Sequence, residues 1–204
     1  TVKHRIGIDG LERYEDMLDF VDRVAARGCT HFIVHARIAI LAGLSPKENR
    51  EVPPLRYTDV YRLKQERPDL TIEINGGIKT LDEIDEHLKH LDGVMIGREA
   101  YHNPWLMADF DARYYSDFNV NPADAGHEAR TRLQVIVAML PYIRAQLESG
   151  GPRLNTITRH MLGLMAGLPG ARAFRQVLSD AKQLAAGDAE LLLRAAERVL
   201  PKAA

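Results

Sequence analysis

Four times within residues 1–115, a short apolar run is followed by a stretch whose apolar residues recur at three- and four-residue steps. That alternation leaves few choices of fold. Strands separated by helices are joined most readily in parallel, each crossover helix packing back on the sheet. The predicted strands are Val2–Ile8 (VKHRIGI), His31–Ala36 (HFIVHA), Thr71–Ile74 (TIEI) and Gly93–Gly97 (GVMIG), the last read as buried. The predicted helices are Leu11–Arg27, Thr58–Arg67, Thr80–His90 and Pro104–Arg113. Gly28 and Pro68 supply stops for the first two. Between the second strand and second helix lies a long loop, Arg37–Tyr57, containing GLSPKENREVPPL. Its prolines and charges argue against regular structure, and loops of this length usually carry function.

After Tyr115 the alternation stops. Residues 116–126 are polar and read as a linker. Helices alone are predicted beyond it: His127–Glu148 with a kink at Pro141, Thr156–Gly167, Ala171–Ala186 and Asp188–Leu200. The organisation expected is an α/β domain over 1–115, the linker, and a small all-α helical bundle over 127–204.

Net charge is −1, so bulk charge announces no nucleic-acid partner and any basic surface must be local. No apolar run approaches the ~18–20 residues that span a bilayer. The charged N-terminus is not a signal peptide, and a cytoplasmic protein is the expectation. The single cysteine, Cys29, excludes an internal disulfide. Following a helix and preceding a strand, it reads as a buried structural thiol on the N-terminal rim of the sheet.

In a parallel βα array, active groups gather at the C-terminal ends of strands. Lys3, His4 and Arg5 lie on the first strand, His35 and Arg37 end the second, Asn75-Gly76-Gly77 ends the third, and Gly97-Arg98 ends the fourth. In TIEINGGIKT the two glycines precede Thr80, which with Glu83 forms a capping-box pattern. Exposed backbone N–H groups before a helix start favour an anion, most often a phosphate. Each residue also has a plainer explanation: a turn glycine, a core histidine, a solvated cation. Together they describe one rim fit for a phosphate-bearing cofactor.

The strings VKHRIGID, FIVHAR, GLSPKENREVPPL, EINGGIKT, GVMIGREAYHNPW and ITRHMLGL with PGAR resemble the tRNA-dihydrouridine synthases, A subgroup, over nearly the whole chain. The resemblance implies a TIM barrel followed by a helical domain, FMN as cofactor, NADPH as reductant, and reduction of a tRNA uridine to 5,6-dihydrouridine. It implies FMN contacts at Lys3, His35, Asn75, Gly76, Gly77, Gly97 and Arg98, and tRNA contacts at Lys47, Arg50, Arg172 and Arg175. No metal is implied. The family pattern usually continues HAR with lysine; here Ile38 follows.

A full (β/α)8 barrel takes ~250 residues. The expectation is therefore that these four units are the C-terminal half of a (β/α)8 TIM barrel, with the catalytic cysteine in an upstream half and none in this chain. Cys29 sits at the wrong rim for that role. The isolated chain is expected to be inactive and either to self-associate through open sheet edges or to behave as a partly molten species. Alternatives are a non-catalytic RNA-binding fragment, or another FMN- or sugar-phosphate-binding barrel oxidoreductase.

Overall fold

The computed structural model describes residues 1–115 and 131–200. The proposed linker and the first residues of the helix expected from His127 lie outside them. The chain divides into two compact units, Thr1–Gly97 and Arg98–Ala204.

The first unit holds strands β1 (Val2–Ile8), β2 (His31–Ala39), β3 (Thr71–Asn75) and β4 (Gly93–Met95). Helices α1 (Tyr14–Ala25), α2 (Tyr57–Glu66) and α3 (Leu81–Leu88) connect them. All three pairings are parallel and the spatial order is β1-β2-β3-β4, the order of the sequence. Helix α3 starts where the pattern placed it. Thr80 accepts from the Glu83 amide, and the Glu83 carboxylate accepts from the amides of Lys79 and Thr80. Period-two alternation sorts the strands into two faces. Ile6, Phe32, Val34, Ala36, Ile72 and Ile74 are buried together with Met17, Val21, Val60, Leu63 and Ile84 of the helices. Lys3, Arg5, His35 and Asn75 alternate with those residues and form the other face, His35 in register with both Arg5 and Asn75.

Three expectations for this unit are corrected. Strand β2 runs to Ala39, past a β-bulge that shifts its register against β1 between Arg5 and Gly7. The extra residue lets pairing continue beyond the point where the apolar pattern fails. The long loop is not wholly irregular, since Glu48–Arg50 forms a 3-10 turn. The fourth strand is shorter than predicted, ending at Met95, and only half-buried.

The second unit is helical among its described residues: α4 (Arg98–His102), a 3-10 segment Pro104–Asp109, α5 (Phe110–Tyr114), α6 (Arg132–Glu148), α7 (Leu154–Thr158), α8 (Ala171–Val177), α9 (Ala181–Ala185) and α10 (Leu191–Ala196). Its core joins Ile136, Leu140, Ile143, Phe174, Leu191 and Leu192. The expected helix over Ala171–Ala186 is broken because Asp180 caps a new one, its carboxylate accepting from the amides of Lys182 and Gln183. The helix expected over Thr156–Gly167 is one short helix followed by turns. Pro104–Arg113 is likewise 3-10 before it is α.

The division after Gly97 differs from the sequence-based boundary at 115 for a packing reason. A Cβ on Gly163 would lie 2.4 Å from the His102 carbonyl oxygen, so the backbones touch there. Arg132 lies over the Trp105 ring at 4.8 Å and donates to the carbonyls of Leu164 and Ala166. Tyr101 hydrogen-bonds His160 at 2.8 Å. These contacts attach residues 98–109 to the later helices.

Candidate functional site

The open face of the sheet brings together residues that are far apart in the chain. Lys3 on β1 donates to the Asn75 side-chain carbonyl at 3.2 Å, reaching across β2. Asn75 in turn donates from its amide to the Met95 carbonyl of β4 at 2.7 Å. Partial desolvation, then the charge of Arg5, lowers the Lys3 ammonium below its ordinary range. A cation held under such conditions gains from an anionic neighbour.

Asn75 leads into Gly76 and Gly77, both at positive φ, +123° and +78°. Leu55 and Tyr57 press on them. A Cβ on Gly77 would meet Leu55 Cδ1 at 2.7 Å, and one on Gly76 would lie 3.4 Å from His35 Nε2. His35 therefore stands beside the loop, half-buried in the middle of β2. The N-terminus of α3 is already served by the Glu83 carboxylate. The amides of Lys79 and Thr80 are thereby taken up by the protein itself. Gly97 contrasts with the pair. Its φ is not positive, and an added Cβ would find no described atom within 4 Å. Glycine there is not demanded by the protein's own packing and leaves its backbone open to approach. Arg98, the next residue, is exposed and opens α4.

The other half of the rim is arginine-rich. Arg5 donates to the carbonyls of Ile38 at 2.8 Å and Asn49 at 2.9 Å. Arg37 donates to the carbonyls of Glu51 (3.1 Å) and Pro53. Burial first, then the charges of Arg37 and Arg50, lower Arg5 from its ordinary value. The long loop is thus held by arginines from the strands. Asn49 completes the hold, its side chain bonding both the amide and the carbonyl of Ile40. Ser45 and Glu48 cap the 3-10 turn reciprocally, and that bond set lowers the Glu48 carboxyl. Asn49 escaped the sequence reading. The Ser-x-x-Glu signature in SPKE could have exposed the turn that carries it.

Lys47 and Arg50 sit on this turn, both exposed. Arg172 and Arg175 lie on the exposed side of α8, while Ala171, Phe174 and Val177 face the core. His4 is not part of the rim. It packs between Phe20 and Phe32 on the helix side of the sheet, and burial lowers its pKa. Cys29 lies two residues before β2, half-buried rather than buried, its thiol donating to the His31 carbonyl at 3.4 Å. No group of three or more metal-ligating side chains occurs among the described residues, and none of their helices is long and apolar enough to cross a membrane.

The family profile described as dihydrouridine synthase (Dus) matches residues 1–200. A tRNA-dihydrouridine(20/20a) synthase of Synechocystis is 52% identical over 192 residues, covering 94% of this chain and 55% of that protein. One from Shewanella oneidensis is 55% identical over 180 residues, covering 88% and 51%. One from Salmonella typhimurium is 51% identical over 203 residues, covering 99% and 58%. The chain spans about half the length of the curated relatives it matches.

Proposed function

Because the chain belongs to the dihydrouridine synthase family, we propose that it serves the flavin-dependent reduction of uridine to 5,6-dihydrouridine in tRNA, with NADPH as reductant. The positions proposed are 20 and 20a, those in its relatives' names. The observation that carries the reading is the Lys3–Asn75 contact beside the glycine loop, on the polar face, with Asn75 at the C-terminal end of β3.

Sequential parallel order with helices packed on one face is the architecture of a (β/α) barrel segment. A doubly wound sheet would reverse its strand order at a switch point. The first unit is therefore proposed as four of eight barrel units, with the polar face turned to the barrel interior. In the other half, outside these 204 residues, we place the cysteine that protonates uridine; no catalytic residue is assigned here.

The residues present fit FMN. Lys3 and His35 offer a cation and an imidazole on the face where the flavin ring would lie, and Asn75 is held between Lys3 and Met95 to orient it. Gly76, Gly77 and Gly97 allow close backbone approach to a phosphate, and Arg98 supplies a guanidinium for bidentate pairing. When bound, FMN supplies the hydride for uridine. Lys47 and Arg50 on the capped turn, and Arg172 and Arg175 on α8, are proposed to meet tRNA phosphates. Each such contact steepens the dependence of binding on salt.

The test is dihydrouridine content. Mass spectrometry of tRNA from cells lacking the gene should show uridine in place of dihydrouridine at the affected positions. Full retention of every dihydrouridine would overturn the assignment.

A further inference from the structure

The Gly76–Gly77 peptide is gripped from one side. Tyr57, the first residue of α2, donates its hydroxyl to the Gly76 carbonyl at 2.7 Å. The Tyr57 ring meets His87 edge-on, with centroids 4.5 Å apart. His87 is 4% exposed on α3 and is fixed in turn by Tyr61, whose hydroxyl lies 2.7 Å from Nδ1. Burial, with a smaller contribution from Glu83, raises the Tyr57 phenol, so at neutral pH it is a hydrogen-bond donor.

Two consecutive glycines at positive φ leave the peptide between them easy to turn over. That peptide is planar and trans, so its C=O and N–H point in opposite directions. A hydroxyl that holds the Gly76 carbonyl toward α2 therefore holds the Gly77 N–H away from α2. Such an oriented N–H is the element from which anion-binding loops are built.

We propose that Tyr57 is a positioning residue for the phosphate end of the flavin site, acting through the Gly76–Gly77 peptide rather than by touching the ligand. This rests on the assignment of that loop to the FMN phosphate. Leu55 supports the same geometry from below, lying against both glycines. The alternative is that Tyr57 only packs α2 against α3.

The two roles separate when FMN is compared with riboflavin, which has the same ring and no phosphate. Binding of each is measured by flavin fluorescence on the full chain and on Tyr57→Phe, which keeps the ring against His87 and removes the hydroxyl. The expected result is an FMN Kd raised about five- to tenfold, the worth of one hydrogen bond, with the riboflavin Kd unchanged. Tyr61→Phe removes a hydroxyl from the same aromatic cluster without touching the loop, and should leave the FMN-to-riboflavin ratio as in the parent. An unaltered ratio in Tyr57→Phe, with the parent still preferring FMN, would overturn the positioning role and spare the loop assignment. Equal binding of FMN and riboflavin by the parent would overturn the loop assignment, and the role of Tyr57 with it.

Discussion

On β3, Ile72 and Ile74 are fully buried, while Glu73 and Asn75 alternate with them on the opposite face. The same split runs through β1 and β2, with His4, Ile6, Phe32 and Val34 on one face and Lys3, Arg5 and His35 on the other. The helix side is bound by area and packing, without direction. The open side is bound by a few directed contacts: Lys3 to Asn75, Asn75 to Met95, Arg5 to the loop carbonyls. Area makes a sheet stable, and directed contacts leave it able to meet a ligand. One face accordingly carries the fold, and the other is the one proposed to carry the chemistry.

Substitutions can break that comparison. The largest expected effect is on the helix side: Phe32→Ala should cost about 3–5 kcal/mol in urea denaturation, because a fully buried ring leaves a cavity. Next is Gly77→Ala at the rim, expected to cost about 1–3 kcal/mol from its positive φ and the clash with Leu55. In a Leu55→Ala background the clash with Leu55 disappears while the close approach to the Tyr57 hydroxyl at 3.1 Å and the φ part stay, so a double-mutant cycle should show a smaller penalty there.

A third measurement uses pH. Burial lowers both His4 and His87 from 6.5, against a raising backbone bond from Arg5 at His4. Around His87, Glu83 and Glu86 raise it and His90 lowers it further. Between the lowered folded values and 6.5 the unfolded chain binds more protons, so stability is complete above that range and is lost as pH falls through it. Denaturation midpoints should drop from about pH 7.5 to about pH 5.5, and His87→Gln should flatten part of that drop. A flat profile in the parent would show that neither histidine is desolvated. The smallest stability effect belongs to the open face. Asn75→Ala should change stability by about 1 kcal/mol or less, yet weaken FMN binding about tenfold. A loss comparable to that of Phe32→Ala would erase the distinction between the faces.

Much of this was legible in the chain. The four strands, the three helices between them and the Thr80–Glu83 box follow from signals contained in a few neighbouring residues. Lys3 was readable as a residue of the first strand, Asn75 as the end of the third and the glycine pair as a turn at positive φ, whereas His35, read as ending the second strand, lies in the middle of β2. Cys29 was legible as a residue of the far rim, although its burial was overestimated. Short helices fared worse. The break at Asp180 turns on whether a carboxylate bonds its own backbone or leaves it to the helix, and the periodicity of Ala171–Ala186 does not reveal that choice.

The sequence by itself determined the parallel strand–helix alternation and the strand end at Asn75 with its glycine pair, because hydrogen-bond periodicity and capping act over three or four positions. The tertiary structure alone decided what those residues meet. Lys3 reaches Asn75 across 72 positions, Arg5 reaches Asn49 across 44, and Tyr57 reaches Gly76 across 19. Such contacts depend on strand register, on the bulge in β2 and on the path of the 37–57 loop. Those are settled by the packing of distant segments, not by the local preferences of any one of them.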